Sequence, residues 1–174
     1  MGTHNIESLE DIIEFLDYTS LALSDNSKSI QAKCEDLLLL KKTNYSNRQF
    51  IASFCTFAEY GGIVRRFLKE AGINNSVVAG CFPTGQMPLD IKLREVAYAV
   101  NYADEIDYVF SIGKFLGRDY DFVSRELQMV RDICEGKTLK IIIETGELLN
   151  SENIAKACEL CLLNKVDFVK TSTG

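Results

Sequence analysis

The sequence predicts an α/β fold of the (β/α)8 (TIM) barrel type, incomplete at about six βα units and led by an N-terminal helix. Three observations predict it. Short, nearly continuous apolar segments rich in β-branched and aromatic residues alternate with segments of helical periodicity. Successive strand segments lie about 25 to 35 residues apart, the size of one βα step in a parallel sheet covered by helices. The open dinucleotide-binding sheet lacks its turn: residues 19–22 carry no glycine where GxGxxG belongs, and no P-loop occurs. A complete barrel takes eight units in roughly 250 residues. By that count the 174 residues form one domain, 1–174, that stops about two units short.

The elements follow in order. A helix over 6–15, with Ser8 and Asp11 as a weak capping pair, precedes a strand over 15–20. Helix 28–40 places Ile30, Cys34, Leu37 and Leu38 on one face. Strand 50–57 leads through a Gly61-Gly62 turn into helix 63–71, and strand 77–82 comes next. Helix 89–102 repeats apolar residues at Leu93, Val96, Ala97 and Val100, ahead of strand 106–112. Helix 120–134 stops before Gly136, and strand 139–145 follows. Ser151 caps the last helix, 153–163, whose inner stripe is Ile154, Ala157, Cys158 and Cys161; the final strand is 166–171.

Composition narrows the function. With 47% hydrophobic and 25% charged residues the chain is globular, and nothing suggests a linker or low-complexity tract. A net charge of -6 argues against a nucleic-acid partner, because phosphate binding needs clustered cations. The short basic groups, Lys41-Lys42 and Arg65-Arg66, read as solvated helix faces. The longest apolar runs fall far short of a membrane span. Six irregularly spaced cysteines with no secretory segment before them read as buried thiols in a reducing cytoplasm. Cys158 and Cys161 form a CxxC inside a helix, but no second CxxC exists and the only histidine is His4, so a zinc site lacks ligands. No metal and no cofactor are expected.

Barrel chemistry sits at the C-terminal ends of strands, so polar residues that interrupt the apolar pattern there are the candidates. They are Asp17, Thr19, Cys55, Asp107, Lys140, Glu144, Lys170 and Thr171. Lys170 breaks a segment, 166–169, that otherwise reads as buried strand. Two readings stand: an amine that attacks a carbonyl, or a strand-end lysine whose stem reaches water. Asp107 is either a carboxylate that handles protons or holds a lysine, or half of a structural ion pair. Lys140 and Glu144 share parity on one strand, which allows a salt bridge between them as readily as a site. Cys55, with no histidine to activate it, reads as core; Asp17 and Thr19 fit either a first-strand site or turn chemistry.

The string Asp167-Phe168-Val169-Lys170-Thr171-Ser172-Thr173-Gly174 resembles the Schiff-base signature of deoxyribose-phosphate aldolases. Other strings agree in order: Leu16-Asp17-Tyr18-Thr19 at the first strand, Phe82-Pro83-Thr84-Gly85 after the third, Asp104-Glu105-Ile106-Asp107-Tyr108-Val109-Phe110, and Leu139-Lys140-Ile141-Ile142-Ile143-Glu144-Thr145-Gly146-Glu147-Leu148. The resemblance implies a metal-free class I aldolase that cleaves 2-deoxy-D-ribose 5-phosphate to acetaldehyde and glyceraldehyde 3-phosphate. It implies Lys170 as the imine-forming lysine and Asp107 as the proton relay acting through an ordered water. Asp17, Thr19, Cys55, Lys140 and Thr171 would line the substrate site, Lys140 in a supporting role. The family's second essential lysine, on its seventh strand, and its phosphate-binding loops have no counterpart within the 174 residues.

Two missing strands would leave barrel edges at the first and sixth strands, so self-association through those edges or a homo-oligomer is expected. The competing functional reading is a catalytically impaired barrel fragment that acts only in assembly or binding.

Overall fold

The computed structural model describes residues 12–46 and 50–174. The expected leading helix falls mostly on residues 1–11, outside those described, as do His4, Ser8 and Asp11; residues 12 and 13 are helical. The described residues form two compact units that meet between Ser76 and Val77. The strands are β1 (Asp17–Thr19), β2 (Ser53–Phe57), β3 (Asn74–Ala79), β4 (Glu105–Val109), β5 (Thr138–Ile142) and β6 (Phe168–Lys170), and the strand order β1-β2-β3-β4-β5-β6 is the chain order.

In the first unit β1 and β2 pair in parallel, Asp17 opposite Ser53 and Thr19 opposite Cys55. Helix α1 (Ser27–Asn44) connects them. Asn26 caps it: its side chain accepts from the Lys28 and Ser29 amides, and the Ser29 hydroxyl accepts from the Asn26 N–H at 2.9 Å. The helix outruns its expected end, with Lys41 and Lys42 in the last turn, where the helix dipole favours cations. Ile30, Cys34 and Leu37 descend from α1 onto Phe54, Val64, Leu68 and Ile73. Gly61 and Gly62 do not form a turn before α2 (Gly61–Leu68); they are its first residues, because the 3-10 turn Ala58–Tyr60 has already wound the chain. A second 3-10 turn, Lys69–Ala71, ends at Gly72 in the left-handed region.

In the second unit β4, β5 and β6 are parallel neighbours. Helix α3 (Leu89–Ala99) follows β3, α4 (Ile112–Leu116) and α5 (Tyr120–Ile133) both follow β4, and α6 (Ser151–Leu163) follows β5. Strand β3 begins three residues before its expected start, because Asn74, Asn75 and Ser76 are too polar to read as strand. It stops at Gly80 (φ 83), where a Cβ would lie 2.6 Å from the Val109 carbonyl oxygen; Gly85 (φ 68) comes as close to the Phe110 carbonyl, at 2.5 Å. These two glycines let the turn at 80–85, with its cis Phe82–Pro83 peptide, lie directly on the exit of β4. The Glu95 carboxylate holds the same turn by accepting from the Gly80 and Cys81 amides at 2.9 and 2.8 Å.

Two helix stripes differ from expectation. The inner face of α3 is Lys92, Val96 and Ala99, with Ala97 exposed. The lysine is buried because Glu126 of α5 waits for it at 2.6 Å. On α6 the cap is Asn150, not Ser151: Asn150 is extended (φ -155) and accepts from the Asn153 amide, while Ser151 is already helical. The buried stripe there is Ala157, Leu160 and Cys161. Burial pushes the Cys161 thiol up to about 12, with Cys158 adding to the rise, so it carries no thiolate at neutral pH.

Candidate active site

Side chains alternate across a strand, and directly paired residues of parallel neighbours point the same way. Asp107 stands opposite Lys140, Lys140 opposite Phe168, and Ile142 opposite Lys170. Residues 105, 107, 140 and 170 therefore share one face of the sheet. The other face lies under the helices, where the Tyr108 hydroxyl donates to Glu126 of α5 at 2.7 Å.

On the shared face two carboxylates and two ammonium groups form one cluster. Asp107 is fully buried, and its Oδ2 accepts a short hydrogen bond from the Lys170 Nζ. Its Oδ1 lies 3.6 Å from the Lys140 Nζ, and that amine is ion-paired with Glu105 Oε2 at 2.5 Å. Burying a carboxylate is expensive unless it is paired, and here each oxygen of Asp107 faces a lysine. The side chains of Lys140 and Glu105 are 8% exposed, whereas that of Lys170 is 29% exposed. The cluster thus presents one reachable amine, with a buried carboxylate against it and a second cation behind. An amine in that setting can hand its proton to Asp107 and attack a carbonyl carbon.

Beyond the strand ends the exits of β5 and β6 stay joined. The Ile143 amide donates to the Lys170 carbonyl at 3.0 Å, and the Thr145 amide to the Thr171 carbonyl at 2.7 Å. Thr171 is exposed, with its hydroxyl 3.2 Å from that of Ser172. Nearby, a cleft of about 500 Å³ is lined by Thr84, Gln86, Glu144, Glu147 and Thr173, among others.

Of the residues singled out from sequence, Lys170, Asp107 and Lys140 meet in this cluster and Thr171 adjoins it. Asp17, Thr19 and Cys55 lie together in the first unit. Asp17 accepts from the Ser53 hydroxyl at 2.6 Å, Thr19 donates to the Asp17 carbonyl at 3.2 Å, and Cys55 is fully buried. The Lys140–Glu144 salt bridge that parity allowed does not form: Lys140 pairs with Glu105, and Glu144 turns away in the left-handed region (φ 48). Glu105 is the member that sequence reasoning missed; its spacing of two from Asp107 on the same strand was the available signal. None of the six cysteines is in a disulfide, and among the described residues no group of three or more His, Cys, Asp or Glu is placed to hold a metal ion.

No family model matches the chain. Individual relatives do. The chain is 36% identical over 165 residues to a deoxyribose-phosphate aldolase of Finegoldia magna, covering 94% of this chain and 72% of that protein. It is 34% identical over 167 residues to one from Metamycoplasma hominis, covering 95% and 72%. Among solved structures, it superposes on an aldolase called QR15 with a TM-score of 0.83 and 29% identity, over 94% of this chain and 69% of that one. A tetrameric deoxyribose phosphate aldolase from Aeropyrum pernix shares the fold, with a TM-score of 0.75 at 23% identity, over 95% of this chain and 66% of that one. The chain has the fold of an incomplete (β/α)8 barrel with about six βα units.

Proposed function

The chain belongs to the deoxyribose-phosphate aldolase family, and from that membership we propose that it is a class I aldolase that reversibly cleaves 2-deoxy-D-ribose 5-phosphate to acetaldehyde and D-glyceraldehyde 3-phosphate. The observation that carries the reading is the Lys170–Asp107 pair backed by Lys140. The Lys170 amine adds to the aldehyde carbon of the open-chain sugar, giving a carbinolamine. Loss of water gives a protonated imine, which serves as the electron sink. The hydroxyl on the third carbon loses its proton, the bond between the second and third carbons breaks, and its electron pair flows into the iminium to form an enamine. Glyceraldehyde 3-phosphate leaves. Protonation of the enamine and hydrolysis of the imine release acetaldehyde and restore Lys170.

Asp107 is the group that takes and returns these protons, through a water where the distance requires one. Lys140, fixed by Glu105, supplies positive charge beside Asp107 and limits how firmly that carboxylate holds the Lys170 ammonium. Thr171, Asp17, Thr19 and Cys55 belong to the substrate surroundings in this reading. The chemistry runs without metal or cofactor, since the imine does the work of a Lewis acid. In this reading residues 1–174 belong to one barrel domain. Its substrate is a small phosphorylated sugar of central metabolism, which places the protein in the cytoplasm, with self-association and without nucleic-acid or membrane partners. Among the described residues no helix is long and apolar enough to cross a membrane.

The test is reductive trapping. Incubation with deoxyribose 5-phosphate followed by borohydride places a stable adduct on Lys170, found by peptide mass spectrometry, and Lys170→Ala takes none. Folded wild-type protein that takes no adduct at Lys170 overturns the reading.

A further inference from the structure

Strand β6 is three residues long, and Lys170 is its last. A strand end with so few bonds frays unless something beyond it holds. What holds it is the exit of β5. Between the two backbone bonds already described, at Ile143 and Thr145, Glu144 adopts φ 48. A residue with a Cβ is uncommon there, and the conformation persists only where the surroundings enforce it. The turn brings the Glu144 carboxylate to the segment that follows Lys170. A single oxygen, Oε2, accepts from both the Thr173 amide at 2.9 Å and the Thr173 hydroxyl at 2.6 Å. The loop that carries Glu144 is itself anchored: Leu148 is fully buried, and its carbonyl accepts from the Asn153 side chain of α6 at 2.7 Å.

We infer that Glu144 is a positioning residue: its carboxylate clamps residues 171–174 to the β5 exit and so fixes the strand end from which Lys170 meets Asp107. This rests on the reading of Lys170 as the imine-forming lysine. The clamp acts on placement, because an amine that wanders by an ångström from its base and its substrate loses much of the benefit of a bound reaction. It also keeps Thr171 beside the nucleophile, through the Thr145–Thr171 bond that the Glu144 turn sets up.

Three substitutions separate the possibilities. Glu144→Gln keeps one oxygen able to accept both bonds. Glu144→Ala removes the acceptor and leaves the strained backbone, whereas Glu144→Gly removes the acceptor and relieves the strain, which favours a folded protein. The readouts are borohydride labelling of Lys170 with acetaldehyde, kcat and KM for deoxyribose 5-phosphate, and amide hydrogen exchange of a peptide spanning 168–174. Expected is Glu144→Gln within about threefold of wild type in kcat and labelling rate, and Ala and Gly slower by about tenfold or more. The Ala and Gly variants also exchange faster at Thr173, with unchanged far-ultraviolet circular dichroism. Labelling by Ala and Gly as fast as wild type, unchanged exchange at Thr173, or a Gln variant as slow as Ala overturns the inference. Absence of label in wild type overturns the assignment of Lys170 instead, and exchange alone then decides whether Glu144 holds the segment.

Discussion

At the scale of single residues, Asp25 shows how local partners set a charge. Its side chain is almost wholly buried, and burial, the largest influence on it, works to raise its pKa. Hydrogen bonds from Lys33, Ser20 and the Ala22 amide, with the charge of Lys33, outweigh burial and hold the carboxyl below its ordinary value of 3.8. A folded-state pKa below the unfolded one contributes stability that is present above 3.8 and is lost as pH falls through the depressed value. Asp25→Asn is therefore less stable than wild type at pH 7, and the gap between their urea midpoints narrows as the pH is lowered past that value. A gap that stays constant into acid removes Asp25 from the account. Lys170 and Asp107 were legible in the sequence for a different reason: each is a charged residue set directly against apolar strand neighbours, Phe168-Val169 before Lys170 and Ile106, Tyr108 and Val109 around Asp107. Glu105 was not, because Asp104 beside it makes the pair look like a polar strand entry, and its partner Lys140 lies on the next strand.

At the scale of elements, a second charged pair sits on the opposite face of β4. Lys92 of α3 is fully buried and donates to Glu126 of α5, to the Ser111 hydroxyl at 3.1 Å and to the Gly85 carbonyl at 3.2 Å. Burial pushes the Lys92 amine below its usual range, and Glu126 opposes the push. Glu126 also accepts from the Tyr108 hydroxyl and from the amide and hydroxyl of Ser111, so it has three donors besides the lysine. Removing Lys92 leaves a carboxylate still well bonded; removing Glu126 leaves an ammonium with two neutral acceptors and the Tyr108 ring. Glu126→Leu should cost about 3–5 kcal/mol in urea unfolding, Lys92→Met less, and the double variant should recover part of the loss. Equal losses that add would show that the two do not act as a pair. The strands and the longer helices among the described residues were legible from periodicity, to within a few residues at their ends; the short α4 was not, because its first residue closes an apolar run that reads as strand 106–112, whereas β4 ends at Val109. The Lys92 stripe was not, because a lysine on a helix reads as solvent-facing until a partner 34 residues away is known.

At the scale of the whole chain, the order of strands has two ends. β6 pairs with β5 on one side, and around it Phe168 is 60% exposed, Leu162 75% and Leu163 68%. Clustered exposed apolar residues beside a strand that, among the described residues, is paired on one side favour association with another chain. The 174-residue chain should sediment as a concentration-dependent mixture, and Leu162→Lys with Leu163→Lys should shift it toward the smallest species. A sedimentation coefficient independent of concentration in the parent would count against this. The alternation of elements, together with the lack of a GxGxxG turn or P-loop, placed the chain among barrels by sequence. The aldolase family followed from the strings around Lys170 and Asp107, and relatives that this chain spans to 72% of their length carry the same name.

The burial of Tyr108 gives the chain an optical gauge. Burial first, and Glu126 second, push its phenol well above the ordinary value of 10.0. Tyr108 therefore keeps its proton in moderate alkali for as long as α5 covers β4. The near-ultraviolet absorbance of phenolate, read before and after denaturant, then counts a tyrosine that appears only when that layer lifts. It reports the departure of one helix without any label.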